Sequence, residues 1–244
     1  ARNSDVLEHR LALGEQAFAQ ATEVLQRIRE LAIQANNATQ DRISRQAIAV
    51  EVQVRLDELL AIANRRDANG AYLFSGYAEH TPPFLATATG VLYQGDEGIR
   101  ELQIGPAQRL ADGYPGSEVF MNIGGGGADM FSLIGELLTT LTSPTGTEAE
   151  RTQFAAGIEA ALTGLDQALD HLNGIRARTG ARLSLIEQTK AGREDELVQL
   201  QTSISQLRDL DYVEAITRLN LEQLGLQAAQ SSYARLAQLS LFDY

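Results

Sequence analysis

The sequence predicts a mainly α protein with an inserted β-rich module, in which the N- and C-terminal segments pack on each other as an elongated helical rod bundle. Three observations predict it. Near both ends, apolar residues recur at the helical spacing of three and four. All five prolines, Pro82, Pro83, Pro106, Pro115 and Pro144, fall in one window that also holds most of the glycines. Inside that window the pattern changes to short apolar runs closed by Gly, Pro or Asp, as strands and turns require.

Taken in order, Leu11, Phe18 and Leu25 recur at seven, and Leu25, Ile28, Ala32 and Ala35 at three and four. That is the apolar stripe of one amphipathic helix. Asn36, Asn37, Thr39 and Gln40 interrupt it, and a second stripe runs through Ile48, Val52, Leu56 and Leu59, with Asp41 or Ser44 able to cap its start. Its end is expected near Asn69 and Gly70, where glycine accepts the left-handed conformation of a helix C-terminus. The runs AYLFSG, VLYQG, GIRELQIG and SEVFMNI then read as strands of antiparallel hairpins, and FSLIGELLTTL, residues 131–141, returns to helical spacing. From about Glu148 onward there is no proline, and stripes appear at Leu162, Leu165 and Leu169, at Leu197, Leu200, Ile204 and Leu207, and at Val213, Ile216 and Leu219. One very long helix or a broken pair follows, with Gly180 and Gly192 as expected breaks.

A helix of some thirty residues is about 45 Å long. Neither terminal rod can bury its stripe alone, and each buried leucine contributes about 1.5–3 kcal/mol, so N-terminal rods should pack on C-terminal ones. The expected organisation is residues 1–78 as the N-terminal part of the rod domain, 79–146 as the inserted β-rich domain and 147–244 as the C-terminal part. The end of that last part runs toward a terminal tube domain.

Charge and composition narrow the function. The 32 acidic and 20 basic side chains leave a net charge of -12, which repels nucleic acid and anionic membrane surfaces. Lys190 is the sole lysine, so positive charge is carried almost wholly by arginine, suited to bidentate pairing with carboxylates. With no cysteine there are no disulfides and no thiolate chemistry. No run approaches the roughly twenty apolar residues of a membrane span. No basic region followed by an apolar one opens the chain, which begins at Ala1 without methionine.

Candidate chemistry is sparse. His9, His80 and His171 are scattered without ligand spacing, so no metal or cofactor is expected. The glycines 124–127 lack a following GK[ST], and Asp129 stands where a dinucleotide fingerprint needs glycine. Asn37, Ala38 and Thr39 spell a glycosylation sequon, a short motif that arises by chance. Asp67 and Asn69 before Gly70 echo a calcium loop without its bidentate glutamate, and a helix end accounts for them. No acid and base converge, so no enzyme is expected; the contrary reading is a glycan-binding or hydrolytic insertion. Asp209, Asp211 and Glu214 lie near Arg208 and Arg218, giving either pairs along a helix or a subunit contact.

The stretch LQRIRELAIQ, residues 25–34, followed by ANN, resembles the signature of the flagellin family's rod domain. IAVEVQVRLDELLAIA, residues 48–63, is similar to that family's next helix, and ISQLRDLDYVEAI, residues 204–216, to its C-terminal rod segment. NGAYLFSG followed by TPPF, YQGDEGIRELQIG and the ending LSLFDY resemble the family's members at the junction of hook and filament rather than its filament formers. The resemblance implies an exported, extracellular subunit of the bacterial flagellum that acts by packing. It would stand in a ring of its own copies between a hook-side junction protein and filament-side flagellin, with an export chaperone as a further partner. A short filament flagellin is the rival within the family. The resemblance also implies a further N-terminal segment pairing with the C-terminal helix, without which assembly should be poor. At positions matching the family's subunit contacts, Arg27, Leu31 and Glu51 are implied as interface residues; Arg208, Asp209 and Asp211, from the charge cluster noted above, are expected as a second group. An innate immune receptor recognises some flagellins at positions matching the first group.

Overall fold

The computed structural model describes residues 2–37, 41–88, 90–123, 127–208 and 212–240. The helices are α1 (Arg2–Ala35), α2 (Arg42–Ala63), α3 (Met130–Thr142), α4 (Glu148–Arg208) and α5 (Tyr212–Ser240). Between α2 and α3 lie two separate antiparallel hairpins. One pairs β1 (Phe84–Thr87) with β2 (Gly90–Tyr93), the other β3 (Glu101–Gln103) with β4 (Arg109–Ala111). The fold is mostly helical with a small β module, and α4 and α5 form the broken pair that the stripes allow. Two compact units are present, Ala1–Ala191 and Gly192–Tyr244. Among the described residues no helix is long and apolar enough to cross a membrane.

In the first unit the predicted stripes are the core. Phe18, Leu25 and Ile28 of α1 and Val52 and Leu59 of α2 join Ile134 and Leu137 of α3 and Ile158, Leu165 and Leu172 of α4, all nearly or fully buried. The last three recur at seven, so one face of α4 stays inward over several turns. The β window belongs to the same core: Phe74, Phe84 and Phe120 stack through tilted and edge-on contacts onto Phe18 of α1 and Phe131 of α3. A second cluster buries Ile104, after β3, against Leu7 and Leu11 of α1 and Ile186 of α4.

Capping sets the helix starts. Asp41 takes the extended conformation and accepts from the Ser44 N–H at 2.7 Å, and Asp129 does the same for Ser132 at the head of α3. The second helix stops at Ala63, well before Asn69, because Asn64 is needed elsewhere. Its carboxamide accepts from the Phe84 N–H at 3.0 Å and donates to the Phe84 carbonyl at 2.8 Å, standing in for a strand neighbour.

Two of the four expected strands are absent. In AYLFSG, every residue from Ala71 to Ser75 is buried. An alternating strand would turn every second residue outward, so the backbone curls and keeps only an isolated bridge between Arg66 and Tyr72. In SEVFMNI, Val119 and Phe120 are adjacent and both fully buried, and Ser117–Met121 form a single π-helical turn instead. A hairpin strand appears instead at Phe84–Thr87, where the sequence shows only the run after TPP. Neither Gly180 nor Gly192 breaks α4. Each costs about 1 kcal/mol relative to alanine, small against the cooperativity of a long helix.

The turn between the hairpins depends on Asp96. Its Oδ1 accepts from the N–H groups of Tyr77 at 2.8 Å and Gly98 at 2.7 Å, while the Tyr93 hydroxyl lies 2.9 Å from the Asp96 carbonyl. Gly76, at φ +69°, leaves the room this needs: a Cβ there would stand 2.1 Å from Asp96 Oδ1.

The second unit holds the end of α4 and α5. Leu197, Leu200 and Ile204 on α4 and Ile216 and Leu219 on α5 are each more than half exposed. The stripes that the sequence shows here are helical but stand in solvent.

Candidate subunit interface

Arg27, Glu30 and Glu51 form one charged group across α1 and α2. The Arg27 Nε donates to Glu51 Oε1 at 2.8 Å and its NH1 to Glu30 Oε2 at 2.9 Å. Glu30 first, and Glu51 second, hold the guanidinium firmly in its charged form. The side chains remain close to half exposed, so the group adds little to stability and stays available to another molecule. Leu31 lies elsewhere: it is 1% exposed and packs in the core of its own unit. The apolar side chains presented near the charged group are Val50 and Val54, one turn apart on α2 and flanking Glu51, at 66% and 56% exposure. Sequence reading missed these two because it assigned α2 a single inward stripe.

Of the second group, Asp209 and Asp211 lie outside the described residues, and Arg208 is the last residue of α4. Nearby, Arg218 pairs with Glu214 at 3.3 Å, one turn apart on α5.

Other charges are spent inside the first unit. Arg29 pairs with Asp166 at 2.6 Å and Arg176 with Glu15 at 2.8 Å, tying α1 to α4. Lys190 bridges Asp5 at 2.5 Å and Glu8, and these acids raise its affinity for the proton. A cleft of about 510 Å³ includes His9, Arg10, Asp67, Glu79 and Arg100 in its lining. Arg100 is paired there with Glu79 at 3.0 Å and with buried Asp112 at 2.7 Å. Asp67, the residue of the calcium-loop echo, accepts from the N–H groups of Asn69 and Ala71 at 2.8 and 3.0 Å. His171 contacts the Glu118 carbonyl at 2.8 Å, anchoring the π turn to α4. Of the glycosylation sequon, Ala38 and Thr39 lie outside the described residues, as do glycines 124–126.

Helices α1 and α2 from the N-terminal part of the chain and α4 from its C-terminal part surround one core that takes in a small β module. The bacterial flagellin N-terminal helical region matches residues 1–79 and the C-terminal helical region residues 162–244, and the chain belongs to the flagellin family. Flagellar hook-associated protein 3 of Escherichia coli is 27% identical over 96% of this chain and 77% of its own length. Flagellin of Bacillus subtilis is 26% identical over 92% of this chain and 72% of its own. Among solved structures, hook-associated protein 3 of Legionella pneumophila superposes with a TM-score of 0.78 at 20% identity, covering 86% of this chain and 95% of that one. FlgL of Xanthomonas campestris gives 0.76 at 23% identity, covering 84% and 96%.

Proposed function

We propose that this protein is the structural subunit that joins hook to filament in the bacterial flagellum. The observation that carries the reading is the match to flagellar hook-associated protein 3 of Escherichia coli along almost the whole chain, including the β-bearing middle between the two flagellin regions. In this reading the protomers stand in a ring, with a hook-side junction protein below and flagellin above. The chain reaches that place through the flagellar export channel, with an export chaperone as a transient partner. Its action is packing and not turnover. The rod domain comprises residues 1–78 and 147–244, with residues 79–146 as the inserted module. Arg27 on α1 and Glu51 on α2 serve one subunit contact, with Leu31 supporting α1 from within. Arg208, Asp209 and Asp211 serve another, and assembly covers the apolar stripes of the second unit.

The match to Bacillus subtilis flagellin favours a second reading, a short filament subunit. Gold-labelled antibody against this protein on intact flagella separates the two. A single label at the boundary of hook and filament supports the junction reading, and label along the filament supports the other.

A further inference from the structure

We infer that Arg45 is a receptor for a carboxylate supplied by a second copy of this chain, an assignment that rests on the reading of the protein as an assembling subunit. Arg45 lies in the first turn of α2 and is 5% exposed. Its guanidinium sits 4.8 Å over the ring of Phe154 on α4. Its Nε is sealed from solvent with no acceptor. Among the described residues the side chain has neither a hydrogen-bond nor an ion-pair partner, and of its three nitrogens Nε alone is fully sealed. Asp41, whose carboxylate accepts from the Ser44 N–H at the head of α2, lies near enough to feel the Arg45 charge but does not pair with it.

Arg66 and Arg182 also lie over aromatic rings, but they donate in addition to the Tyr72 hydroxyl and the Gly113 carbonyl, and other arginines are ion-paired. Arg27, Arg29, Arg176 and Arg178 each hold a carboxylate from another element, Glu51, Asp166, Glu15 and Glu118 respectively. A buried cation without a counter-charge is costly, and an aromatic face offsets only part of that cost. The missing group therefore arrives from outside, through the open edge of the guanidinium. A single guanidinium with no other converging donor is a poor site for a free anion. With 32 acids against 20 bases, another copy of the chain presents the required charge in surplus.

The test uses flagella assembled in cells whose only copy of the protein carries Arg45→Lys. The sole natural lysine, Lys190, is engaged within its own chain. Carbodiimide treatment, which joins an amine to a touching carboxylate, is expected to link residue 45 of one copy to an acid of another, as read by mass spectrometry. Linkage only to Asp41 of the same chain, linkage to a different flagellar protein, or no linkage at residue 45 overturns the assignment. Gold labelling of the same flagella keeps the two readings apart: protein at the junction without such a link removes this interface and leaves the proposed function standing. As a second measurement, Arg45→Met should keep or raise the thermal midpoint of the isolated chain while weakening assembly about a hundredfold. A lowered midpoint with unchanged assembly would mean that Arg45 serves its own fold alone.

Discussion

Replacing Phe120 by alanine tests whether the β window and the helices are one cooperative structure. Phe120 is fully buried in the π turn, with ring centroids 5.4 Å from Phe74, 5.4 Å from Phe84 and 6.1 Å from Phe131. Phe74 in turn lies 5.7 Å from Phe18 on α1, so the ring stack reaches from the window into the helical core. Phenylalanine-to-alanine changes at such sites cost about 3–5 kcal/mol in lost burial and cavity. Three aromatic neighbours place this one at the upper part of that range. At the urea dependence of a unit this size the midpoint should fall by about 1–2 M. The assay is equilibrium urea unfolding followed both by helical circular dichroism and by tyrosine fluorescence, since Tyr72, Tyr77, Tyr93 and Tyr114 report on the window. Both probes should move together. A loss under about 1 kcal/mol, or a tyrosine transition that shifts while the helical one stays, would refute the shared core.

Three further expectations follow from particular contacts. Gly76→Ala forces a side chain into a left-handed backbone position and against Asp96, so it should destabilise by more than about 1–2 kcal/mol in the same urea assay. Asp96 has its carboxyl held below the usual carboxylate range, first by the Tyr77 N–H and then by the Gly98 N–H. A depressed folded-state value means that its contribution is complete above the unfolded value of about 3.9 and is lost as pH falls through the lower folded one. The thermal midpoint of Asp96→Asn should therefore be less sensitive to acid in that window than that of the parent. Arg27→Ala and Glu51→Ala, singly and together, should leave the midpoint of the isolated chain essentially unchanged, because the pair is exposed. A clear drop would make the pair a structural tie.

The helices were legible because their stripes are dense and their breaks are chemical: Leu11, Phe18, Leu25 and Ile28 are buried where the spacing places them, and Asp41 caps as its side chain allows. The window was harder to read, for a physical reason. Ala71 to Ser75, and Val119 with Phe120, bury consecutive residues, and a run of adjacent apolar residues looks like a strand whatever the backbone does. The roles of Asn64 and Asp96 depend on partners twenty residues away or in another turn, which local spacing does not register. Burial direction was invisible as well. Leu197 and Ile216 have the same helical period as Leu165, yet they are exposed in the single chain while Leu165 is buried. The charged pair Arg27–Glu51 came through the resemblance to the flagellin family, whereas the exposed Val50 and Val54 beside it, and the unpaired Arg45, needed coordinates.

The measurement closest to the central claim is growth on isolated flagellar parts. The protein in its full natural length is added to purified hooks bearing the hook-side junction protein and, separately, to sheared filament seeds, and added length is followed by electron microscopy. The account predicts a collar of about one or two rings on hooks, after which this protein adds no more and flagellin elongates from it. Continuous extension of filament seeds would make it a filament subunit, and failure to add to hooks would contradict the junction role.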